Sequence, residues 1–536
     1  MNNYPPECQF VDIVIVGAGF TGLYALHRLG RSYDVVCFEA GDGVGGTWYW
    51  NRYPGARVDI KSVEYSYGFD EQLQQEWSWP EYFSAQPDLE EYANHVADRF
   101  GLRDRIRLSN RVTRLWFDAS ANHWHVLTAR GDHVVCRYVV AATGSLSAVN
   151  IPPWPGRELF RGRVLHTAEW PRDGLTFSDQ RVGFIGTGST GIQAAPIIAA
   201  QAEHLFVFQR TPAYCMPSGN RPMDTEFERD WKDHYAERRE LMLETYGASL
   251  IEYPEITAAA CTPEQRQATL EKAWHSQNAF QLLFAFSDVM TDRTANEVVA
   301  EFVRGKIREV VKDPKTAELL CPTTYPIGGK RLCIGNGYFE MFNRENVTLV
   351  DVKSAPIVAF TERGLRTTDA AYDLDVIITA TGFDAVTGAM TRIDIEGLDR
   401  VRLVDKWAEG PTSYLGAMVA GFPNLFMIHG PTTPAAQAQM ITTGEWQVDW
   451  VAGIIDDMEQ NGYSRIDATK VAENSWAQEV KAVSELTVHK FADSWYNAKN
   501  IEGKKGGFMI YVGGFPRFKK CCEEAVRNDY AGFVRA

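Results

Sequence analysis

The chain has no C-x-x-C pair and no cluster of cysteine and histidine at zinc-ligand spacing. Its nine cysteines stand at 8, 37, 136, 215, 261, 321, 333, 521 and 522, so a dithiol redox centre is excluded and reduced thiols are expected. No apolar run is long enough to cross a bilayer. The opening "MNNYPPECQF" lacks the basic and apolar regions of a secretory leader. Positive charge is in deficit: 54 Lys and Arg against 69 Asp and Glu leave a net −15, which disfavours nucleic acid and anionic membranes as partners. A cytoplasmic protein with neither partner is expected.

What is present begins with glycine. "VDIVIVGAGFTGLYALHRL" reads as an apolar strand from Val11 to Val16, the loop Gly17-x-Gly19-x-x-Gly22 with Phe20 and Thr21 inside it, and a helix through Leu23, Leu26 and Leu29. A second strand, "VVCFEA", ends in Glu39. The glycines permit a tight turn, close approach to a pyrophosphate and close helix–strand packing, and the helix start offers N–H groups to phosphate. An acid at Glu39 accepts ribose hydroxyls and repels a 2′-phosphate.

The unit recurs. "RVGFIGTGSTGIQAAPII" carries Gly186, Thr187, Gly188, Ser189, Thr190 and Gly191 after another apolar strand. Its second strand ends in Arg210-Thr211, and arginine suits a 2′-phosphate. FAD and NADPH fit this pair of sites.

Two apolar strands, "RYVVAATG" at 137–144 and "DVIITATG" at 375–382, bracket the second unit. They place one nucleotide lobe inside another, and a length of 536 residues predicts three or four lobes in all. The expected fold is α/β: two Rossmann-like dinucleotide-binding lobes with a helical insertion. The FAD lobe takes 1–148 and 385–536, the NADP lobe 149–223 and 329–384, and the insertion 224–328. Within the insertion, Thr262, Pro263 and Gln265 have the pattern of a helix capping box. Val299 to Val310 keep helical spacing until Asp313-Pro314. A further helix is expected through Trp446, Trp450 and Ile454.

Between the glycine loops lies "FRGRVLHTAEWP", which no helix or strand period explains. Phe160, Gly162, His166, Trp170 and Pro171 match F-x-G-x-x-x-H-x-x-x-W-P, the signature of Baeyer–Villiger monooxygenases, at every fixed position. "GGTWYWNRYPGARVD" at 45–59 and "GKRLCIGNGYFEMFNRENVTLVDV" at 329–352 resemble two further segments of that family. The resemblance extends over nearly the whole chain.

The resemblance implies an enzyme that takes NADPH, dioxygen and a small-molecule ketone to an ester or lactone through FAD and its C4a-peroxide. It implies Arg331 as the fixed positive charge that keeps the peroxide anionic, with Asp59 holding that arginine. It makes Lys330 a second 2′-phosphate contact beside Arg210, and makes Gly45, Gly46, Thr47 and Trp48 flavin-lining. The signature becomes a hinge on the linker between lobes, with His166 coupling NADP to lobe orientation and Phe160 and Trp170 packing the joint. Trp495 becomes a cover for the nicotinamide on a mobile loop near 490–506. That loop departs from the usual Gly-Ala-Asn-Ile-Pro-Gly-Lys at Lys499 and Glu502. Met440 is a candidate for the substrate pocket. The rival readings are an amine- or sulfide-oxygenating enzyme on the same lobes and a non-catalytic NADP sensor.

Overall fold

A computed structural model describes residues 8–435, 437–501 and 503–536. Two separate sheets organise the chain. The larger runs, in spatial order, Asp394–Glu396, Val112–Asp118, His123–Thr128, His133–Ala141, Gln9–Val16, Val35–Phe38 and Ile106–Arg107, with Leu425–Met427 paired to His133–Ala141. The smaller is parallel throughout: Val347–Asp351, His204–Gln209, Arg181–Ile185, Val376–Thr379 and Arg163–His166.

The strand Gln9–Val16 lies between Val35–Phe38 and His133–Ala141, pairing in parallel with both. Its Val11 and Ile13 to Val16 are all buried, the near-continuous apolar run that a strand covered on both faces requires. The last two strands of the larger sheet come from beyond residue 390, after the chain has completed the smaller one. His133–Ala141 and Val376–Thr379, the strands ending in Ala-Thr-Gly, sit one in each sheet. Each is therefore the last strand before the chain changes lobe.

Helices fill the stretch between Asp224 and Cys321. The strands that frame it, Cys215–Pro217 and Cys333–Gly335, pair in parallel and close it as an insertion. Thr262 and Gln265 form the reciprocal capping box of the helix Pro263–His275. The helix Arg293–Val310 buries Val299, Val303 and Ile307 on one face, as the spacing predicts.

The helix Met440–Gln460 packs against the helix Phe20–Leu29 and carries a buried acid. Glu445 accepts from the Gly68 and Phe69 N–H groups, at 2.8 and 3.0 Å. Burial pushes its carboxyl up to about 7, against the pull of Arg239 and those two N–H groups. An acid whose folded value is raised contributes fully at low pH, and that contribution is lost as pH rises through the folded value. Every tenfold change in proton affinity between the folded and unfolded chain is worth about 1.4 kcal/mol. Wild type is therefore expected to lose stability between pH 5 and 8 relative to Glu445→Gln, which keeps an acceptor and has nothing to ionise. Melting temperatures of the two across that range check this; parallel curves would refute it.

Candidate active site

The two glycine loops build two similar cradles. In the first, a Cβ on Gly22 would lie 1.9 Å from the Gly17 carbonyl oxygen, so helix and turn touch only because no side chain intervenes. Gly19 opens the helix Phe20–Leu29 with no side chain capping its N–H groups. Opposite stands Gly46 at φ +55, where a Cβ would come 2.8 Å from the Gly19 Cα. Thr47 and Trp48 follow on a short helix, and the Trp48 indole donates to the Tyr65 hydroxyl at 3.0 Å. Phe20 packs against the Tyr65 and Tyr67 rings, and Thr21 occupies the first helical turn. Glu39 is buried at the end of the strand Val35–Phe38 and accepts from the Ala18 and Gly41 N–H groups at 2.8 and 2.7 Å. Those bonds fix the carboxylate and use one lone pair of each oxygen, which leaves the others for ribose hydroxyls.

In the second cradle Gly188 opens the helix Ser189–Ala199, again without a side-chain cap. Thr187 donates to the Thr211 carbonyl at 2.9 Å, tying the glycine loop to the turn after Arg210. Ser189 lies 3.3 Å from the Cys333 thiol, and Thr190 reaches the Tyr53 hydroxyl. Arg210 is exposed at the end of the strand His204–Gln209. The Lys330 ammonium stands 4.8 Å above the Tyr325 ring, and burial, then the charge of Arg210, hold its pKa below the usual lysine value. Asp493 pulls the other way. Two cations that raise each other's energy suit a dianionic group between them. Uncapped helix starts, a fixed acid in one cradle and paired cations in the other are the donor sets that FAD and NADP require.

Between the cradles Arg331 meets Asp59 in a two-point ion pair, Nε to Oδ2 at 2.7 Å and Nη2 to Oδ1 at 2.9 Å. The carboxylate overcomes the opposing effect of burial and holds the guanidinium pKa above its ordinary value. The pair borders a small cavity. Ala279, Phe280, Leu283 and Leu332 form its apolar side, and Asp59, Lys330, Arg331, Gln437 and Tyr496 its polar side.

Residues 11–244 match the family described as flavin-binding monooxygenase-like. The chain is 39% identical to a Baeyer–Villiger monooxygenase of Pseudooceanicola batsensis over 98% of its own length and 96% of the relative's. It is 40% identical to a 2-oxo-Δ3-4,5,5-trimethylcyclopentenylacetyl-CoA monooxygenase of Pseudomonas putida, over 98% of each. A crystal structure of OTEMO in complex with FAD and NADP superposes with a TM-score of 0.95 at 40% identity, over 98% of this chain and 99% of that one. The chain belongs to the Baeyer–Villiger monooxygenases.

Part of the Baeyer–Villiger signature is a strand. Arg163–His166 is the edge strand of the smaller sheet, paired in parallel with Val376–Thr379. Four residues are too few for a strand period to be legible. Phe160 is buried with Ile185, Phe208 and Phe360, and a Cβ on Gly162 would lie 2.3 Å from the Asp375 carbonyl oxygen. His166 is buried, and its Nδ1 accepts from the Ala168 N–H at 3.1 Å. Burial lowers its pKa to about 4, so the ring is neutral near pH 7. Trp170 packs on Phe177. The end of the signature meets the other lobe: Trp170 and Pro171, with Arg172 after them, line a cleft of about 770 Å³ together with Arg52 and Gln86, and Arg172 bonds Asp42 at 3.0 Å.

Trp495 begins a single helical turn and is half-buried, its ring 4.4 Å from that of Tyr496. It is Tyr496 that borders the Arg331 cavity. Lys499 pairs with Asp493 at 2.7 Å, and Asn500 donates to the Phe383 carbonyl at 2.9 Å. Glu502, the other departure in this loop, lies outside the described residues. Met440 starts the helix Met440–Gln460 and is not among the described residues lining the cavity. Tyr496, Gln437, Phe280 and Leu283 carry no motif in the sequence; the adjacency of Tyr496 to Trp495 is the only signal that points to any of them. No group of three or more His, Cys, Asp or Glu among the described residues could hold a metal ion, and no described helix is long and apolar enough to cross a membrane.

Proposed function

We propose that this chain inserts one oxygen atom of O2 beside the carbonyl of a small-molecule ketone, giving an ester or lactone, with NADPH as reductant. The observation that carries the reading is the Arg331–Asp59 pair at a cavity between an FAD-type and an NADP-type cradle. Bound FAD, reduced by NADPH, supplies the oxygen-activating chemistry. The protein's part is electrostatic and positional. Arg331 brings a charge that does not titrate in the working range, and Asp59 fixes its plane through two hydrogen bonds. That charge favours the anionic form of an oxygen nucleophile and meets the negative charge developing on the carbonyl oxygen. His166, buried and neutral, supports the smaller sheet rather than moving a proton at the cavity.

On this reading 1–148 with 385–536 holds FAD and 149–223 with 329–384 holds NADP. Arg210 and Lys330 hold the 2′-phosphate, and residues 224–328 wall the ketone pocket. The nine cysteines are all free, as suits the reducing cytoplasm.

A panel of linear, monocyclic and polycyclic ketones beside an amine and a sulfide, followed by NADPH loss and product analysis, tests the proposal. At least one ketone is expected to give ester or lactone with steady NADPH turnover. Oxidation of the amine or sulfide with no ester from any ketone would replace it with the heteroatom-oxygenating reading. Absence of any turnover would leave an NADP sensor.

A further inference from the structure

We infer that the Tyr496 hydroxyl is a second hydrogen-bond donor to the ketone carbonyl, acting beside Arg331. The inference rests on the ketone reading above and assigns a positioning and specificity role to a residue of the same cavity.

Tyr496 is 1% exposed, yet it borders the cavity together with Arg331 and Gln437. Its ring is fixed rather than swinging. Its N–H donates to Ser494 Oγ at 3.2 Å, its carbonyl accepts from the Met509 N–H at 2.8 Å, and its ring packs against His489 and Trp495. The Gln437 side chain lines the same cavity as the phenol, and a phenol has one hydrogen to donate. No acceptor among the described residues takes that hydrogen, and the cavity is the space left open to it.

The chemistry needs such a group. A carbonyl oxygen has two lone pairs, and Arg331 commits Nε and Nη2 to Asp59. A neutral, preorganised donor meets the second lone pair without adding a charge that would compete with Arg331 for Asp59. Burial pushes the phenol's pKa well up, so it stays a donor at any working pH and cannot serve as a base.

The test is Tyr496→Phe in the FAD-loaded enzyme, with a ketone that wild type converts. One hydrogen bond to a centre gaining charge is expected to cost about tenfold in kcat/KM for that ketone. FAD content should be unchanged. The second readout is spectroscopic: with carbonyl-13C-labelled ketone bound to the oxidised enzyme and NADP, the carbonyl infrared stretch should lie closer to its free value in the variant. An unchanged stretch and an unchanged kcat/KM would overturn the inference. So would a defect confined to FAD content or NADPH affinity. If wild type converts no ketone, the failure belongs to the proposed function and not to Tyr496.

Discussion

Arg331→Ala is expected to bind FAD and oxidise NADPH while forming almost no ester. Hydride transfer needs only donor and acceptor in contact, and the arginine is neither. What disappears is the positive charge that Asp59 holds at the cavity through bonds of 2.7 and 2.9 Å. Removing one preorganised donor from such a site costs about 2.7–4 kcal/mol, roughly 100- to 1000-fold in rate. Oxygen that is activated and not transferred leaves as hydrogen peroxide, so NADPH consumption and ester formation should separate. Asp59→Ala should show a milder form, because it removes the support and keeps the charge. The quantity to measure is ester and hydrogen peroxide formed per NADPH oxidised, in wild type and both variants. Tight coupling to ester in Arg331→Ala would remove this arginine from the chemistry.

Arg210→Ala should weaken NADPH about 10- to 100-fold, the worth of one charge-assisted hydrogen bond, and leave NADH binding nearly unchanged. The same is expected at Lys330, whose ammonium is destabilised by burial and by Arg210. A 2′-phosphate between the two relieves that repulsion. Lys330→Ala should therefore also lower NADPH affinity and spare NADH, and in each variant the cofactor preference should shift towards NADH. Titrating both cofactors into the two variants decides it. Equal weakening of NADPH and NADH would mean that these cations do not read the 2′-phosphate.

The parts of the site legible in the sequence are those made by consecutive residues. Gly17, Gly19 and Gly22 announce a strand, turn and helix because each glycine answers a steric demand within six residues of chain, as the 1.9 Å approach at Gly22 shows. The same holds for Thr262 and Gln265, which cap a helix from three residues apart. The signature from 160 to 171 is recognisable as a pattern and silent as structure. Its strand gains hydrogen bonds only from Val376–Thr379, more than 200 residues later. Trp495 stands out in the chain as a large aromatic in a polar loop, while the turn it starts is held from further along, by the Met509 N–H on the Tyr496 carbonyl.

By itself, then, the order of amino acids determined two dinucleotide cradles, an acid in one and an arginine in the other, and a helical insertion after the second. Those are local matters of backbone freedom, helix starts and charge. The tertiary structure alone decided that Arg331 and Asp59 meet from 272 residues apart. It likewise brought Lys330 into the field of Arg210 and turned Tyr496 rather than Trp495 towards the cavity. Such convergence comes from how the two sheets and the insertion pack, since long-range side-chain contacts leave no period in the chain that makes them.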